Sequence, residues 1–347
     1  MNRFRAALLA LVVLTLVVVV VAVFRPAMPP SLSNGASAAL LPAEERSLAP
    51  GFSGINGWIN STPLSIEKLR GRVVLVDFWT FSCVNCVRTL PHLQHLHSTY
   101  QRNGFVIVGV HSPEFDFEKV RANVVAAVER LRVTWPVALD TQMATWNAYG
   151  NQYWPAEYLI DKQGRIAYVH FGEGDYDTTE RAVAALLGVS MASGTGATPV
   201  PNDISPELYA GSERGQLVDG ETYGSAGQPV TYADTGPPAQ RDAIQVTGTW
   251  TDEVQYLQAD SAGHVRVRFH ADSVYVVAGT TNPAAHVSVT LDNNSVPPRN
   301  SAASLTASAF TVTRQDLYSL LVNVTAGYHV LDLVVPAGFQ LYTFTFG

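Results

Sequence analysis

Four consecutive apolar residues, Val73-Val74-Leu75-Val76, open the stretch VVLVDFWTFSCVNCVRTLP over residues 73–91. The unbroken run of β-favouring side chains predicts a strand buried on both faces. Past Phe78-Trp79-Thr80-Phe81 the period changes, and Leu90, Leu93 and Leu96 recur at helical spacing. Pro91 falls inside that helix and predicts a kink. Asn103-Gly104 is a turn, and FVIVGVH (Phe105 to His111) predicts a second buried strand. Val120, Val124, Val128 and Leu131 give an inward face to a helix over Phe117 to Arg132. A short strand over Val137 to Leu139 and a helix over Thr141 to Tyr149 come next. Glu157 to Ile160 and Ile166 to His170 read as antiparallel strands joined by the turn Asp161-Lys162-Gln163-Gly164. Thr178 to Leu187 closes the region as a helix. The alternation predicts an α/β domain over 51–188, with a mixed sheet flanked by helices.

The pattern changes after a linker over 189–204, rich in Gly, Ala, Ser, Thr and Pro. From Ile244 onward, short alternating runs are separated by turn residues, as in an all-β sandwich, and no helix is apparent. The expected second domain is 205–347. Trp250, Tyr256, Tyr275 and Tyr328 are its candidate stacking residues, with core or sheet-face packing as the alternative.

Ala6 to Phe24 is an uncharged apolar run behind the basic start Met1-Asn2-Arg3-Phe4-Arg5. Its length suits a single transmembrane helix with the basic side in the cytoplasm. The pattern favours an uncleaved anchor over 1–25 rather than a cleaved signal, although Ala36-Ser37-Ala38 resembles a cleavage site. Residues 26–50 read as a tether. The rest of the chain is then expected on the extracytoplasmic side of the cell membrane, or secreted or periplasmic if the N-terminus is removed.

The chain has 347 residues and a formal net charge of −7, a balance that argues against nucleic acid as a partner. Cys83 and Cys86 are its only cysteines, too few for a disulfide framework. They sit where a buried strand hands over to a helix, which is the setting of redox-active C-x-x-C pairs. The first turn of a helix offers unpaired N–H groups and partial positive charge, which favours a thiolate at Cys83. Cys83 is then the attacking thiol and Cys86 the resolving thiol. A structural bridge, a Cys/His metal site with His92 and His95, and two inert core cysteines remain as alternatives. The two histidines are expected on the exposed face of their helix. Asp77 lies mid-strand, where a carboxylate is costly to bury, so its pKa is expected to rise. It is the candidate proton relay to Cys86. Trp79, Phe81 and Trp154 are candidates for an apolar contact surface, with core packing as the alternative. Glu157 is a weaker candidate for substrate contact or a second relay. His111 and His170, and the acidic loop Phe171 to Tyr176, are lesser candidates.

The stretches VDFWTFSCVNCVRTLPHL, GVHSPEFDFEK (109–119), ATWNAYGNQYWPAEYLID (144–161) and YVHFGEGDYDTTE (168–180) together resemble the TlpA/DipZ-like membrane-associated thioredoxins. The likeness runs from about Gly54 to Leu187. SPELYAGSERG (205–215) and the β region resemble the C-terminal domain appended to DipZ-like proteins, which is jelly-roll-like and similar to carbohydrate-binding modules. The resemblance implies a thioredoxin-like fold, a buried acid at Asp77 beneath the cysteines and a cis Pro155 that positions substrate. The family's frequent second acid, three residues after the second cysteine, is Thr89 here.

The expected function is an exported, membrane-tethered thiol–disulfide oxidoreductase that reduces extracytoplasmic protein disulfides, apocytochrome c among them. No cofactor is expected beyond the Cys83–Cys86 couple. A separate CcdA/DsbD-like membrane protein would supply electrons, and the sandwich would bind a glycan or protein ligand. A disulfide-forming oxidase and an envelope binding protein are the competing expectations.

Overall fold

The computed structural model describes residues 40–191 and 204–347. The expected membrane segment 1–25 lies outside the described residues, as do most of the expected tether and linker. Among the described residues, no helix is long and apolar enough to cross a membrane.

The first domain runs through Trp58–Ile59 (β1), Val73–Trp79 (β2), the helix Val84–Tyr100 (α1), Phe105–His111 (β3), the helix Arg121–Arg130 (α2) and Val137–Leu139 (β4). It ends with the helix Ala144–Ala148 (α3), strands Ala156–Ile160 (β5) and Ile166–Phe171 (β6), and the helix Tyr176–Leu187 (α4). The strands form one mixed sheet in the order β1-β4-β3-β2-β5-β6. β2, β3 and β4 are parallel, and β5 and β6 continue the sheet antiparallel. Every residue of β2 is buried, as its apolar run requires. α1 passes through Pro91, held by Leu90, Leu93 and Leu96 in the core. α2 starts later than its periodicity suggests. Asp116–Lys119 forms a separate 3-10 turn, and Val120 caps α2 in an extended conformation. Val120 is therefore exposed, while Val124 and Val128 are buried.

Residues 40–50 are not a free tether. The Leu41 N–H donates to the Ala167 carbonyl at 2.8 Å, and the Ile166 N–H donates to the Ser47 carbonyl at 2.9 Å. Arg46 pairs with Asp161 at 3.1 Å. The segment thereby covers the otherwise unpaired outer edge of β6.

The second domain contains β7 (Leu208–Tyr209), β8 (Pro229–Tyr232), β9 (Ile244–Val246), β10 (Gly248–Asp252), β11 (Leu257–Ala259), β12 (Gly263–Phe269) and β13 (Val274–Thr280). It continues with β14 (Ala285–Leu291), β15 (Asn294–Ser295), β16 (Ala309–Val312), β17 (Asp316–Leu321), β18 (His329–Val335) and β19 (Phe339–Phe346). One sheet is ordered β17-β13-β19-β11-β10-β8 with β7 on β19, and the other β15-β14-β18-β12-β9 with β16 on β14. Both contribute side chains to one apolar core, Val276 and Phe344 from the first and Val265 and Leu333 from the second.

The two domains are packed against each other. Phe115 and Phe117, just after β3, meet Tyr342 of β19 edge-on with centroids at 5.2 and 4.9 Å. Tyr342 and Val277 belong to the same apolar cluster as Leu90 and Trp135 of the first domain. Arg130 pairs with Asp316 at 2.7 Å, and the Asp116 N–H donates to Gln255 Oε1 at 3.0 Å. Of the aromatics considered as ligand platforms, the docking takes up Tyr256 and Tyr275, while Trp250 and Tyr328 make their contacts within the second domain. Trp250 is buried and its indole donates to the Thr247 carbonyl. Tyr256 packs on Tyr342 at 4.7 Å, and Tyr275 lies under the Arg88 guanidinium of α1. Tyr328 lies under Arg241 at 4.1 Å.

Candidate active site

β2 ends at Trp79, and a short connection delivers Cys83 to the N-cap of α1. Its sulfur accepts the Cys86 N–H at 3.3 Å. That N–H is one the first helical turn leaves without an intrahelical partner. Both cysteines are free thiols, Cys83 half-buried and Cys86 buried. An incoming disulfide therefore meets Cys83 first, and Cys86 lies one turn deeper. Burial pushes the Cys86 thiol well above its ordinary value. The hydrogen bond and charge of Cys83 add to this, a backbone hydrogen bond at Thr80 opposes it, and the charge of Asp77 raises it further.

Asp77 is 1% exposed on β2, directly opposite Glu157 on β5, which is 2% exposed. Burial, then the charge of Glu157, raise the Asp77 carboxyl well above the usual range. Among the described residues its Oδ1 has no hydrogen-bond partner. Burial pushes Glu157 up to about 7, eased by the Thr179 hydroxyl, which donates to Oε2 at 3.1 Å. Glu157 is thus not a surface strand residue and cannot touch a client. It belongs with Asp77 in a buried carboxyl pair. Thr89, where the family often has an acid, instead donates its hydroxyl to the Asn85 carbonyl at 2.9 Å.

The Trp154–Pro155 peptide bond is cis. Pro155 is buried and immediately precedes Ala156, which pairs with Phe78 of β2. Trp154 is half-buried, stacks near Trp146 at 4.2 Å and donates its indole N–H to the Ser112 carbonyl at 3.0 Å. It shares with Cys83 a cleft of about 250 Å³. Trp79 and Phe81 do not join it. They are 1% and 2% exposed and pack on the His111 ring at 5.5 and 5.6 Å, so they form core rather than contact surface. Burial pushes His111 down to about 3, leaving a neutral ring.

His92 is also not on an open face. α4 covers it, with Tyr176 stacked at 4.6 Å, and burial pushes it down to about 4. His95 pairs with Glu180 at 3.2 Å. His170 stands opposite Glu157 in the β5–β6 ladder, and burial lowers its pKa. Among the described residues, no group of three or more His, Cys, Asp or Glu is arranged to hold a metal. Glu173 of the acidic loop is committed to Arg88 of α1 at 3.0 and 2.9 Å.

Sequence reasoning missed Glu118. It is fully buried and accepts the Ser82 hydroxyl at 2.5 Å and the N–H groups of Glu114 and Phe115 at 2.6 and 3.0 Å. It thereby fixes the residue that precedes Cys83. Burial, then the charge of Glu114, push Glu118 up to about 7. No capping-box pattern marks it in the sequence, because the N-cap residue Phe115 has no side-chain oxygen. The residues that the second domain brings to the cleft, Glu207, Tyr209, Arg214 and Thr345, were missed as well. No local pattern marks a contact made across some 100 residues of sequence.

Residues 47–187 match the Redoxin family, and residues 205–347 match the family described as thioredoxin like C-terminal domain. The chain is 34% identical over 315 residues to protein DipZ of Mycobacterium tuberculosis, covering 86% of this chain and 43% of DipZ. It therefore spans less than half the length of that relative. The thiol-disulfide oxidoreductase ResA of Geobacillus thermodenitrificans is 34% identical over 107 residues, covering 31% of this chain and 59% of ResA. A solved thiol:disulfide interchange protein from Chlorobium tepidum is 26% identical, covering 41% of this chain and 97% of its own, with a TM-score of 0.36. The chain is thus a DipZ homologue over the matched span, with a Redoxin domain followed by a thioredoxin-like C-terminal domain.

Proposed function

We propose that this chain reduces disulfides of extracytoplasmic proteins while held at the cell membrane by its N-terminal apolar segment. The observation that carries the reading is the unequal burial of the two thiols above a buried carboxyl pair. In the first step the Cys83 thiolate attacks a client disulfide. The client S–S bond breaks, one client thiolate leaves, and a Cys83–client disulfide forms. In the second step Cys86 gives its proton to the Asp77–Glu157 pair, directly or through water, and attacks the Cys83 sulfur. The second client thiolate leaves and takes up a proton. Two electrons pass to the client, and Cys83–Cys86 is left oxidised. The chemistry runs on the two cysteines, with no bound cofactor.

A separate membrane protein of the CcdA/DsbD kind then returns the electrons, and apocytochrome c is a fitting client. The basic start and apolar run of the N-terminus support the location, and the family resemblance supports the electron source. The reduction potential of the Cys83–Cys86 couple, measured against dithiothreitol and glutathione buffers, tests the direction. A value near thioredoxin's, about −270 mV, supports a reductant, and one near DsbA's, about −120 mV, overturns it in favour of an oxidase.

A further inference from the structure

The cleft at Cys83 is built by both domains. Cys83, Trp154 and Glu114 come from the first, and Glu207, Tyr209 and Arg214 from the second. The proton count at this second wall is informative. The Tyr209 hydroxyl lies 2.8 Å from Glu114 Oε1 and 2.9 Å from Glu207 Oε2. One phenol proton serves one acceptor, so one carboxyl must hold a proton of its own for both contacts to be hydrogen bonds. Arg214 decides which. Its Nη1 pairs with Glu114 Oε1 at 2.7 Å and its guanidinium lies over the Tyr209 ring at 3.8 Å, so Glu207 is the carboxyl of the two that makes no ion pair with it. Glu207 is left with the proton. Its Oε1 accepts the Thr345 hydroxyl at 3.1 Å, and among the described residues it has no ion-pair partner. Desolvation of the carboxyl and the charge of Glu114 push Glu207 up to about 7, within reach of a proton-displacing cation.

We propose that this wall selects the client: Glu207 takes a lysine or arginine side chain that flanks the client cysteine while the client sulfur lies on Cys83. The enzyme then prefers disulfides set in basic, extended segments. Two carboxyls against one guanidinium leave the wall one negative charge in excess when all are ionised, and a thiolate at Cys83 adds to it. A cation pairs with Glu207, the carboxyl that makes no direct ion pair with Arg214, whereas an acidic segment meets repulsion. A cleft of about 250 Å³ accepts a few residues of extended chain rather than a folded surface. The proposal rests on the thiol–disulfide exchange reading of the site.

The test is single-turnover reduction, by the reduced full chain, of blocked peptides carrying one cysteine as its mixed disulfide with 2-mercaptoethanol. The residues flanking the cysteine are Lys, Gln or Glu. The expected result is Lys faster than Gln by about fivefold and Glu slower than both, the scale of one partly exposed charge pair. Glu207→Gln brings the Lys-to-Gln ratio close to one. Arg214→Gln widens it by freeing Glu114, an opposite change that simple damage to the domain contact would not produce. Equal rates in the native chain, or an unchanged ratio in Glu207→Gln of native melting behaviour, would overturn the proposal. Failure to reduce any peptide would overturn the exchange reading, and this proposal with it.

Discussion

Asp77 of β2 and Glu157 of β5 are paired residue to residue in the antiparallel ladder, both shut off from solvent. Two carboxyls in one dry space do not ionise independently, because each charge raises the cost of the other. The charge of Asp77 also raises the Cys86 thiol. Cys86 therefore becomes a nucleophile most readily when its proton has a nearby acceptor that is itself reluctant to stay charged. The pair supplies that acceptor.

Asp77→Asn removes the acceptor while keeping the shape. Attack by Cys83 persists, and release of the reduced client slows by about 10²-fold, the low end of general-base contributions. The observable is the lifetime of the Cys83–client mixed disulfide, quantified by mass spectrometry after acid quench. Equal lifetimes in native chain and variant would remove Asp77 from the proton path.

Glu157 gives a pH dependence of definite sign. Its carboxyl is raised from 4.5 to about 7 in the folded chain. In that window the folded chain holds a proton the unfolded chain has lost. The stabilisation is complete below the lower value and is lost as pH rises through the upper one, by at most about 3 kcal/mol. Glu157→Gln abolishes that loss. Its melting temperature relative to the native chain should rise between about pH 5 and about pH 8. A difference independent of pH would show that Glu157 does not titrate there.

The thiol roles separate in single substitutions. Cys86→Ser leaves Cys83 half-buried at the cleft, so a disulfide-bearing client is trapped as a stable covalent adduct. Cys83→Ser leaves a thiol that is both buried and held protonated, so no adduct forms. Non-reducing electrophoresis distinguishes them. Adducts of equal yield in both variants would reverse or blur the assignment.

The strand-to-helix placement of Cys83 and Cys86 was legible because one uninterrupted apolar run and one change of period determine it locally. Asp77 was legible for the same reason, since a carboxylate inside such a run has nowhere to go but the interior. The limits were equally physical. Trp79 and Phe81 carry the same aromatic character whether they face a client or pack on His111, and only the fold decides. Burial of His92 depends on α4 crossing it from more than 80 residues away, with Tyr176 stacked on its ring. Glu207 and Arg214 gain their meaning from docking between domains, which leaves no periodicity in either.

That docking supports a last prediction. Tyr342 is 4% exposed and sits among Phe115, Phe117 and Tyr256, with Val277 in the same apolar cluster as the first domain's core. A ring shared by two domains couples their unfolding, because neither can open without exposing the other's aromatic face. Tyr342→Ala removes the shared ring and costs about 3 kcal/mol or more, the scale of a buried aromatic truncation. Differential scanning calorimetry should then show the single transition of the native full chain split into two. Tyr209 and Arg214 would lose their fixed position over the cleft, so Cys83 should react faster with neutral iodoacetamide. A variant that melts lower but still in one transition, with unchanged alkylation of Cys83, would mean that the charged pairs at Arg130 and Arg214 hold the domains together without the ring.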